Sequence, residues 1–438
     1  MAGIFKAYDI RGIYGDTLTD DIAYKIGRAF VTFLDCRKVV VGRDMRAHSD
    51  SVYTALSKGL TDQGADVIDI GLASTPMCYF ANGSLGADAS LMITASHNPG
   101  EWNGFKLCRA EAVPISGATG IADIEALVMG GDFSAPARTG EISTHDVADQ
   151  YRQHIAKHAD IDSSLKIAVD YANAMGIVEH QAIDGLFKQV DLFGNLDGNF
   201  PNHEANPLNL DTLADLQKTV VEQACDFGIA YDGDADRVGF VDENGEIVPM
   251  DFITALIAKT MLQSKAGNVL YDLRSSNAVA ELITENGGTP IKSRVGHAFI
   301  KQQMREHQAI FAGELSGHYY FEENYCAESA ALAVIFVANL VSQSKQSLSQ
   351  LIAPIKRYAA SGEINSKVDD TEAVFERLRA KYPEATFEEL DGLTVILADW
   401  WFNVRSSNTE PLVRLNLEAQ NKADMERKTN EVLDIIRA

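Results

Sequence analysis

Short β-branched and apolar runs alternate along the chain with stretches of helical spacing. Residues 38–42 (KVVVG), 65–71 (ADVIDIG) and 89–94 (ASLMIT) read as strands, and 49–61 carries apolar positions at helical intervals. The theme returns at 165–170 (LKIAVD), 227–231 (FGIAY) and 268–272 (NVLYD). This alternation predicts α/β layers with mixed, mostly parallel central sheets. Residues 238–242 and 246–248 flank Asn244-Gly245, a pair that favours a hairpin turn. The longest apolar stretch, 330–338 and on to Val341, is broken by Asn339 and is too short to span a bilayer. It predicts a buried helix, in the core rather than at an interface.

Three of the β-like runs end in short polar loops: LMITASHNP, FGIAYDGDADR and AIFAGELSGH. Ligands of open α/β sheets gather at the carboxyl ends of strands, so the recurrence suggests three related units facing one cleft. Residues 130–140 are rich in Gly, Ser, Pro and Ala and suit a linker. Residues 249–251 open a third unit, and the polar stretch 358–370 precedes an amphipathic segment, 371–381, in a fourth.

Size and charge narrow the field. The chain has 438 residues, room for about three domains of ~150 residues. Lys and Arg total 38 against 62 Asp and Glu, a formal charge of −24. That excess disfavours nucleic acid and anionic membranes as partners, and an anionic ligand would need clustered basic groups or a metal. Five scattered cysteines without C-x-x-C spacing argue against a disulfide framework or a zinc site. Lys6, Asp9 and Arg11 stand where a signal peptide needs an apolar run. The expectation is a soluble, cytoplasmic protein.

Four loops hold residues suited to chemistry. Asp232, Asp234 and Asp236 in DGDADR repel one another unless a cation sits among them, and Mg²⁺ or Ca²⁺ accepts such oxygen ligands. The competing reading is a solvated acidic turn, and the preceding apolar run favours metal. An EF-hand fails because Arg237 occupies the sixth position, where the turn needs Gly, and the flanks read as strands. Ser96, in TASHNP, follows a strand and is a possible nucleophile, but it lacks the G-x-S-x-G elbow. Taken alone, that segment reads better as a Ser/Asn/Pro turn. GELSGH offers Glu314 and Ser316 to sugar hydroxyls, a weak signal by itself. RSSNTEP, from Arg405 to Pro411, is as good a turn as a phosphate cradle. No Walker A or G-x-G-x-x-G motif supports a nucleotide site.

Together and in this order, the four loops resemble those of the α-D-phosphohexomutase family, in particular its bacterial phosphomannomutase/phosphoglucomutase branch. Further matching segments are Tyr8-Asp9-Ile10-Arg11-Gly12, Asn103-Gly104-Phe105-Lys106 and Val295-Gly296-His297, so the resemblance spans the chain. It implies three related α/β domains, with mixed, mostly parallel sheets, and a smaller C-terminal α+β domain around a central cleft. The expected divisions are 1–146, 147–248, 249–360 and 361–438.

The resemblance also implies roles. Ser96 would carry a phosphoryl group, and Asp232, Asp234 and Asp236, with that serine, would hold Mg²⁺. Arg11, Lys106, Arg237 and His297 match catalytic cleft positions, with Lys106 and His297 both open as general base. Glu314 and Ser316 would read sugar hydroxyls, while Tyr8, His97, Asn98, Arg274 and His318 line the substrate path. Arg405, Ser406, Ser407, Asn408 and Thr409 would hold the non-reacting phosphate. The implied reaction interconverts mannose 6-phosphate and mannose 1-phosphate, with glucose phosphates as further substrates, through a hexose 1,6-bisphosphate. Phosphoglucomutase and phosphoglucosamine mutase activities stay open, and the expected assembly is a monomer or dimer. From outside the family, an aspartyl phosphatase with Asp232 as nucleophile, a non-catalytic sugar-phosphate sensor and a structural calcium protein are the rivals. The phosphatase motif wants Thr or Val where this chain has Asp236. Ala235 stands where many family members have Gly, which alters backbone freedom between two ligands.

Overall fold

The computed structural model describes residues 3–406 and 412–438. Four sheets succeed one another along the chain. The first has the order Ile10–Ile13, Trp102–Arg109, Ala89–Ile93, Lys38–Arg43, Asp66–Leu72, Ile142–Thr144. Its last four strands are parallel, and the first two close one edge antiparallel. The second sheet centres on Lys166–Asp170 and Phe227–Tyr231, the third on Asn268–Asp272 and Ala309–Gly313.

These three sheets share one local topology. Ala89–Ile93, Phe227–Tyr231 and Ala309–Gly313 each have a parallel neighbour on one side and an antiparallel hairpin partner on the other. TASHNP, DGDADR and GELSGH are the loops of those three hairpins. Each therefore leaves the carboxyl end of a fully buried strand, which gives it a rigid base. The recurrence visible in the sequence is thus a recurrence of strand order. The Asn244-Gly245 hairpin forms as expected, joining Val238–Asp242 to Ile247–Val248.

The apolar run folds as the helix Ala330–Ser344, capped by the Ser329 side chain and buried on most sides. It belongs to a core that runs continuously through the first three units. The fourth unit is antiparallel throughout and has its own core around Leu378, Phe402 and Leu415. The polar residues 359–367 form an edge strand of that sheet, paired among the described residues with Leu412–Ala419 alone. An edge strand exposes one flank to water, so its polarity hides it from a hydrophobic-pattern reading. Among the described residues no helix is long and apolar enough to cross a membrane.

Candidate active site

The serine loop is held from beneath. Ser96 is buried and adopts φ +51°, a left-handed conformation that a residue with a Cβ enters only when its surroundings impose it. Arg46 imposes it. This buried guanidinium donates to the carbonyls of Ser96 (2.8 Å), Asn98 (2.6 Å), Pro99 (2.6 Å) and Trp102 (3.0 Å), and to the Asp44 carboxylate (3.1 Å). Arg11 adds bonds to the Ala95 carbonyl (3.2 Å) and the Asn98 side chain (2.6 Å). The Ser96 hydroxyl donates to Asp232 Oδ2 (2.9 Å) and lies 3.2 Å from His97 Nδ1. Burial, then the charges of Arg237 and Arg11, push the His97 imidazole well below its ordinary value.

The aspartate loop meets the serine loop backbone to backbone. Gly233 packs so closely on the Ser96 carbonyl that a Cβ would overlap it. Asp232, Asp234 and Asp236 are all buried, with one oxygen of each within 4.8 Å of the others. Asp232 also accepts from the Arg237 backbone N–H (3.2 Å), and Thr75 donates to Asp234 Oδ2 (2.5 Å). Lys106 reaches both Asp234 (2.5 Å) and Asp236. Lys106 stands opposite Met92, on the partner of the strand that leads into the serine loop, and Arg11, opposite Gly104, lies on the same face of the sheet. Burial opposes the Lys106 charge, yet the three aspartates overcome it and hold the ammonium well above its usual range. Asp236 is held well below the carboxylate range by Lys106 and His318 despite its burial. Burial and the two neighbouring aspartates push Asp232 up to about 8.

The donor set fits a hard cation. It consists of carboxylate oxygens only, and Asp234 Oδ1 is buried with no hydrogen-bond partner.

The third loop contributes a network of buried polar groups. Glu314 accepts from the Gly296 N–H (3.1 Å) and the Tyr320 hydroxyl (2.5 Å), and lies 3.0 Å from His318 Nδ1. Both its oxygens are therefore already engaged. Ser316 Oγ is 2.9 Å from the same His318 nitrogen. His318 Nε2 lies 3.3 Å from Asp236, so this loop touches the aspartate loop directly. Burial opposes a charge on His318, but Asp236 and Glu314 outweigh it and raise the imidazole to about 9. His297 opens the helix His297–Glu306, its ring 6.3 Å from that of His318 and 5.6 Å from that of Tyr8. Burial lowers His297, with Glu328 pulling the other way.

Beside the third loop, Arg405 donates to Glu363 Oε2 (2.6 Å), Arg414 to Glu363 Oε1 (3.1 Å), and Arg274 lies 3.6 Å from the same carboxylate. Arg274 also pairs with Asp272. Three guanidiniums around two carboxylates leave a net positive site suited to an anion. Ser406 ends the strand Trp400–Ser406 and is exposed, while Ser407, Asn408 and Thr409 lie outside the described residues.

The structure thus gathers Ser96, His97, Asn98, Arg11, Lys106, the three aspartates, Arg237 and His318 into one cluster, of which Ser96, Lys106, the aspartates and His318 are buried. Tyr8, His297, Glu314 and Ser316 adjoin it, and Arg274 and Arg405 form a basic site whose Asp272 accepts from the Leu315 N–H (3.3 Å). The sequence reading passed over Arg46, Thr75, Arg414 and Glu363. Arg46 had a signal: it sits in a polar loop (RDMR) just past the parallel strand Lys38–Arg43, a favoured position for functional groups. Arg414 and Glu363 lie on strands, where nothing local separates a site residue from a surface charge.

The chain belongs to the phosphoglucomutase/phosphomannomutase family. Residues 2–135, 149–245 and 249–358 match its alpha/beta/alpha domains I, II and III, and 363–435 match its C-terminal domain. A phosphomannomutase of Salmonella montevideo is 39% identical over 448 residues, covering 99% of this chain and 98% of the relative. A phosphoglucomutase/phosphomannomutase family protein from Burkholderia thailandensis superposes with a TM-score of 0.91 at 32% identity, covering 99% of this chain and 96% of that one. An Aspergillus fumigatus N-acetylphosphoglucosamine mutase, solved in complex with GlcNAc-6P and magnesium, shares the fold at 12% identity and a TM-score of 0.64, with 99% and 95% covered. The chain is accordingly an isomerase of the phosphohexomutase type.

Proposed function

We propose that this protein interconverts mannose 6-phosphate and mannose 1-phosphate, and accepts glucose phosphates, through phosphorylated Ser96 and a hexose 1,6-bisphosphate. The observation that carries this reading is the Ser96 hydroxyl, 2.9 Å from Asp232 in a buried cluster of three aspartates. A phosphoserine adds a charge of about −1.5 to −2 at neutral pH. Asp232, Asp234 and Asp236 already use the charges of Lys106, Arg237 and His318, so the phosphate needs a further cation. Mg²⁺ held by the three aspartates and Ser96 would supply that charge and polarise the phosphoryl group.

Phosphorylated Ser96 gives its group to the free hydroxyl of a hexose monophosphate. The new O–P bond forms at the sugar as the Ser96 O–P bond breaks, and the hydroxyl's proton ends on Ser96 Oγ. Its first acceptor is a basic side chain of the cleft, for which Lys106 and His297 are the candidates; the charges of Asp234 and Asp236 favour the protonated form of Lys106. Arg11 and Lys106 stabilise charge spreading onto the equatorial oxygens. Arg274 and Arg405, with Ser406 to Thr409, hold the other phosphate. The bisphosphate then turns over in the cleft and returns its second phosphate to Ser96. The same anion site serves both orientations.

Mannose leads because the matching Salmonella relative bears that name, and Glu314 and Ser316 at shared equatorial hydroxyls would admit glucose as well. We place the enzyme in the cytoplasm, since all five cysteines are free thiols. The test is a coupled assay with mannose 1-phosphate and glucose 1-phosphate, primed with a hexose 1,6-bisphosphate and Mg²⁺. Turnover that disappears in Ser96→Ala is expected. Isomerisation of no hexose phosphate overturns the proposal, and phosphate release that survives Ser96→Ala points to an aspartyl phosphatase.

A further inference from the structure

We propose that residues 193–203 of the second unit form a clamp on Arg46, in which Gly198 and Phe200 are positioning residues for phosphoryl transfer at Ser96. This role rests on the mutase reading above. The segment follows the strand Lys188–Leu192 and lies against the residue that grips the serine loop. The Arg46 guanidinium carbon sits 5.2 Å from the centroid of the Phe200 ring. Gly198 meets Arg46 through its backbone: a Cβ there would stand 2.9 Å from Arg46 Cα and 3.2 Å from the Met45 carbonyl oxygen. Just past the serine loop, a Cβ on Gly100 would stand 2.6 Å from the Gly198 carbonyl oxygen. Glycine on both sides lets the two backbones touch where a side chain would part them. Phe200 and Met45 extend the contact by packing together on the buried Ala172, Ala174 and Ala205.

A simple connection between elements does not explain this segment. Ala172, Phe193 and Phe200 hold φ of +47°, +54° and +51°, left-handed values that residues with a Cβ keep only where their surroundings impose them. Asn173 supplies much of that constraint. Its N–H donates to the Phe193 carbonyl (3.1 Å), and its own carbonyl accepts from the Asp197 N–H (2.9 Å). Its side-chain amide donates to the Asn195 carbonyl (2.9 Å) and accepts from Asn202 (2.7 Å). Two residues on, the Met175 N–H donates to the Gly233 carbonyl (3.2 Å), and Gly233 is the glycine packed on the Ser96 carbonyl. The turn at 172–175 therefore ties the aspartate loop to the serine loop by two routes. One runs directly through Gly233, the other through Asn173, the clamp and Arg46. Arg46 and Ser96 belong to the first unit and the aspartates to the second, so contacts across that boundary keep Ser96 Oγ at 2.9 Å from Asp232. The clamp supplies one at the residue that sets the shape of the serine loop.

Gly198→Ala sets a methyl group against Arg46 Cα. Ordinary carbon contact begins near about 3.5 Å, so one side must yield by about 0.6 Å. The coupled isomerase assay on the full Mg²⁺-loaded enzyme is expected to show kcat lowered by about 10–100-fold with KM within about threefold. Phe200→Leu tests the clamp without a wedge: it keeps apolar packing at an unchanged backbone and loses the ring face. It is expected to lower kcat by about three- to tenfold, whereas Phe200→Tyr, which keeps the ring, stays within about twofold of wild type. In an Arg46→Lys enzyme, Gly198→Ala should slow turnover by less than about threefold further, because groups acting through one residue are not additive. Thermal melting is followed alongside, and if Gly198→Ala does not fold, the Phe200 pair decides. Wild-type kcat in Phe200→Leu, equal losses in Phe200→Leu and Phe200→Tyr, a loss confined to KM, or full additivity with Arg46→Lys overturns the clamp. So does a kcat loss that disappears well below the variant's melting temperature, the mark of a stability effect alone. Each of these leaves the wild-type enzyme isomerising hexose phosphates, whereas a wild type without isomerisation overturns the mutase reading and this role with it.

Discussion

Arg46 offers the sharpest prediction, because it touches no substrate yet shapes the nucleophile. Its guanidinium makes five contacts: four to carbonyls of the serine loop and one to Asp44. In Arg46→Lys the charge stays, but one ammonium has three donors, so at least two bonds are lost. Hydrogen bonds to a charged group contribute about 1.5–3 kcal/mol each, so the loop loses about 3–6 kcal/mol of restraint. Arg11 and the Ser96 N–H to Thr94 bond (2.9 Å) still act, so the chain folds but Ser96 can leave its φ of +51°. Displacement of a reacting group by about 1 Å lowers rates by about 10²-fold. The coupled isomerase assay should therefore show kcat reduced by about 10²-fold, with KM for hexose phosphate changed much less, since Arg274 and Arg405 are untouched. A variant with wild-type kcat, or one whose loss lies wholly in KM, would refute the argument that Arg46 sets the geometry of Ser96.

Gly233→Ala should abolish turnover while leaving overall folding intact, because its Cβ overlaps the Ser96 carbonyl and wedges the two loops apart; kcat and circular dichroism check both parts. Ala235→Gly should leave stability within about 1 kcal/mol of wild type in chemical denaturation, since relief of φ +61° (about 1–2 kcal/mol) is offset by glycine's greater chain entropy and by loss of a fully buried methyl group (about 0.8 kcal/mol). Glu179 joins the first three units: it accepts from Ser74 (2.6 Å), Tyr151 (2.7 Å) and the Ala331 N–H (3.3 Å), and burial pushes it up to about 7. Its folded value exceeds its unfolded one, so its contribution is complete below about pH 4.5 and lost as pH rises through about 7. Melting from pH 5 to 8 should therefore show wild type losing stability relative to Glu179→Gln, by at most tenfold in folding constant per pH unit.

The strands most legible in the sequence were those whose residues are apolar as well as buried on both faces. Val39 to Val41 or Phe227 to Tyr231 leave no doubt, because a central strand has no polar side to show. The edge strand 359–367 and the antiparallel partner Trp102–Arg109 were missed as strands, since they carry Ser, Glu, Asn and Lys among their apolar residues. In the site, motif order identified the groups that face the reaction. Those that hold the motifs escaped it. Arg46 is 50 residues from Ser96 and Thr75 is 159 from Asp234, so only folding brings them together.

The most direct test of the phosphoserine mechanism is to locate the phosphate itself. The enzyme is incubated with Mg²⁺ and a labelled hexose 1,6-bisphosphate, quenched, digested and sequenced by mass spectrometry. The mechanism requires one acid-stable phosphate on Ser96, which passes to added mannose 1-phosphate at least as fast as kcat. A hydroxylamine-labile phosphate on Asp232, or turnover by an enzyme that never carries label on Ser96, would contradict it.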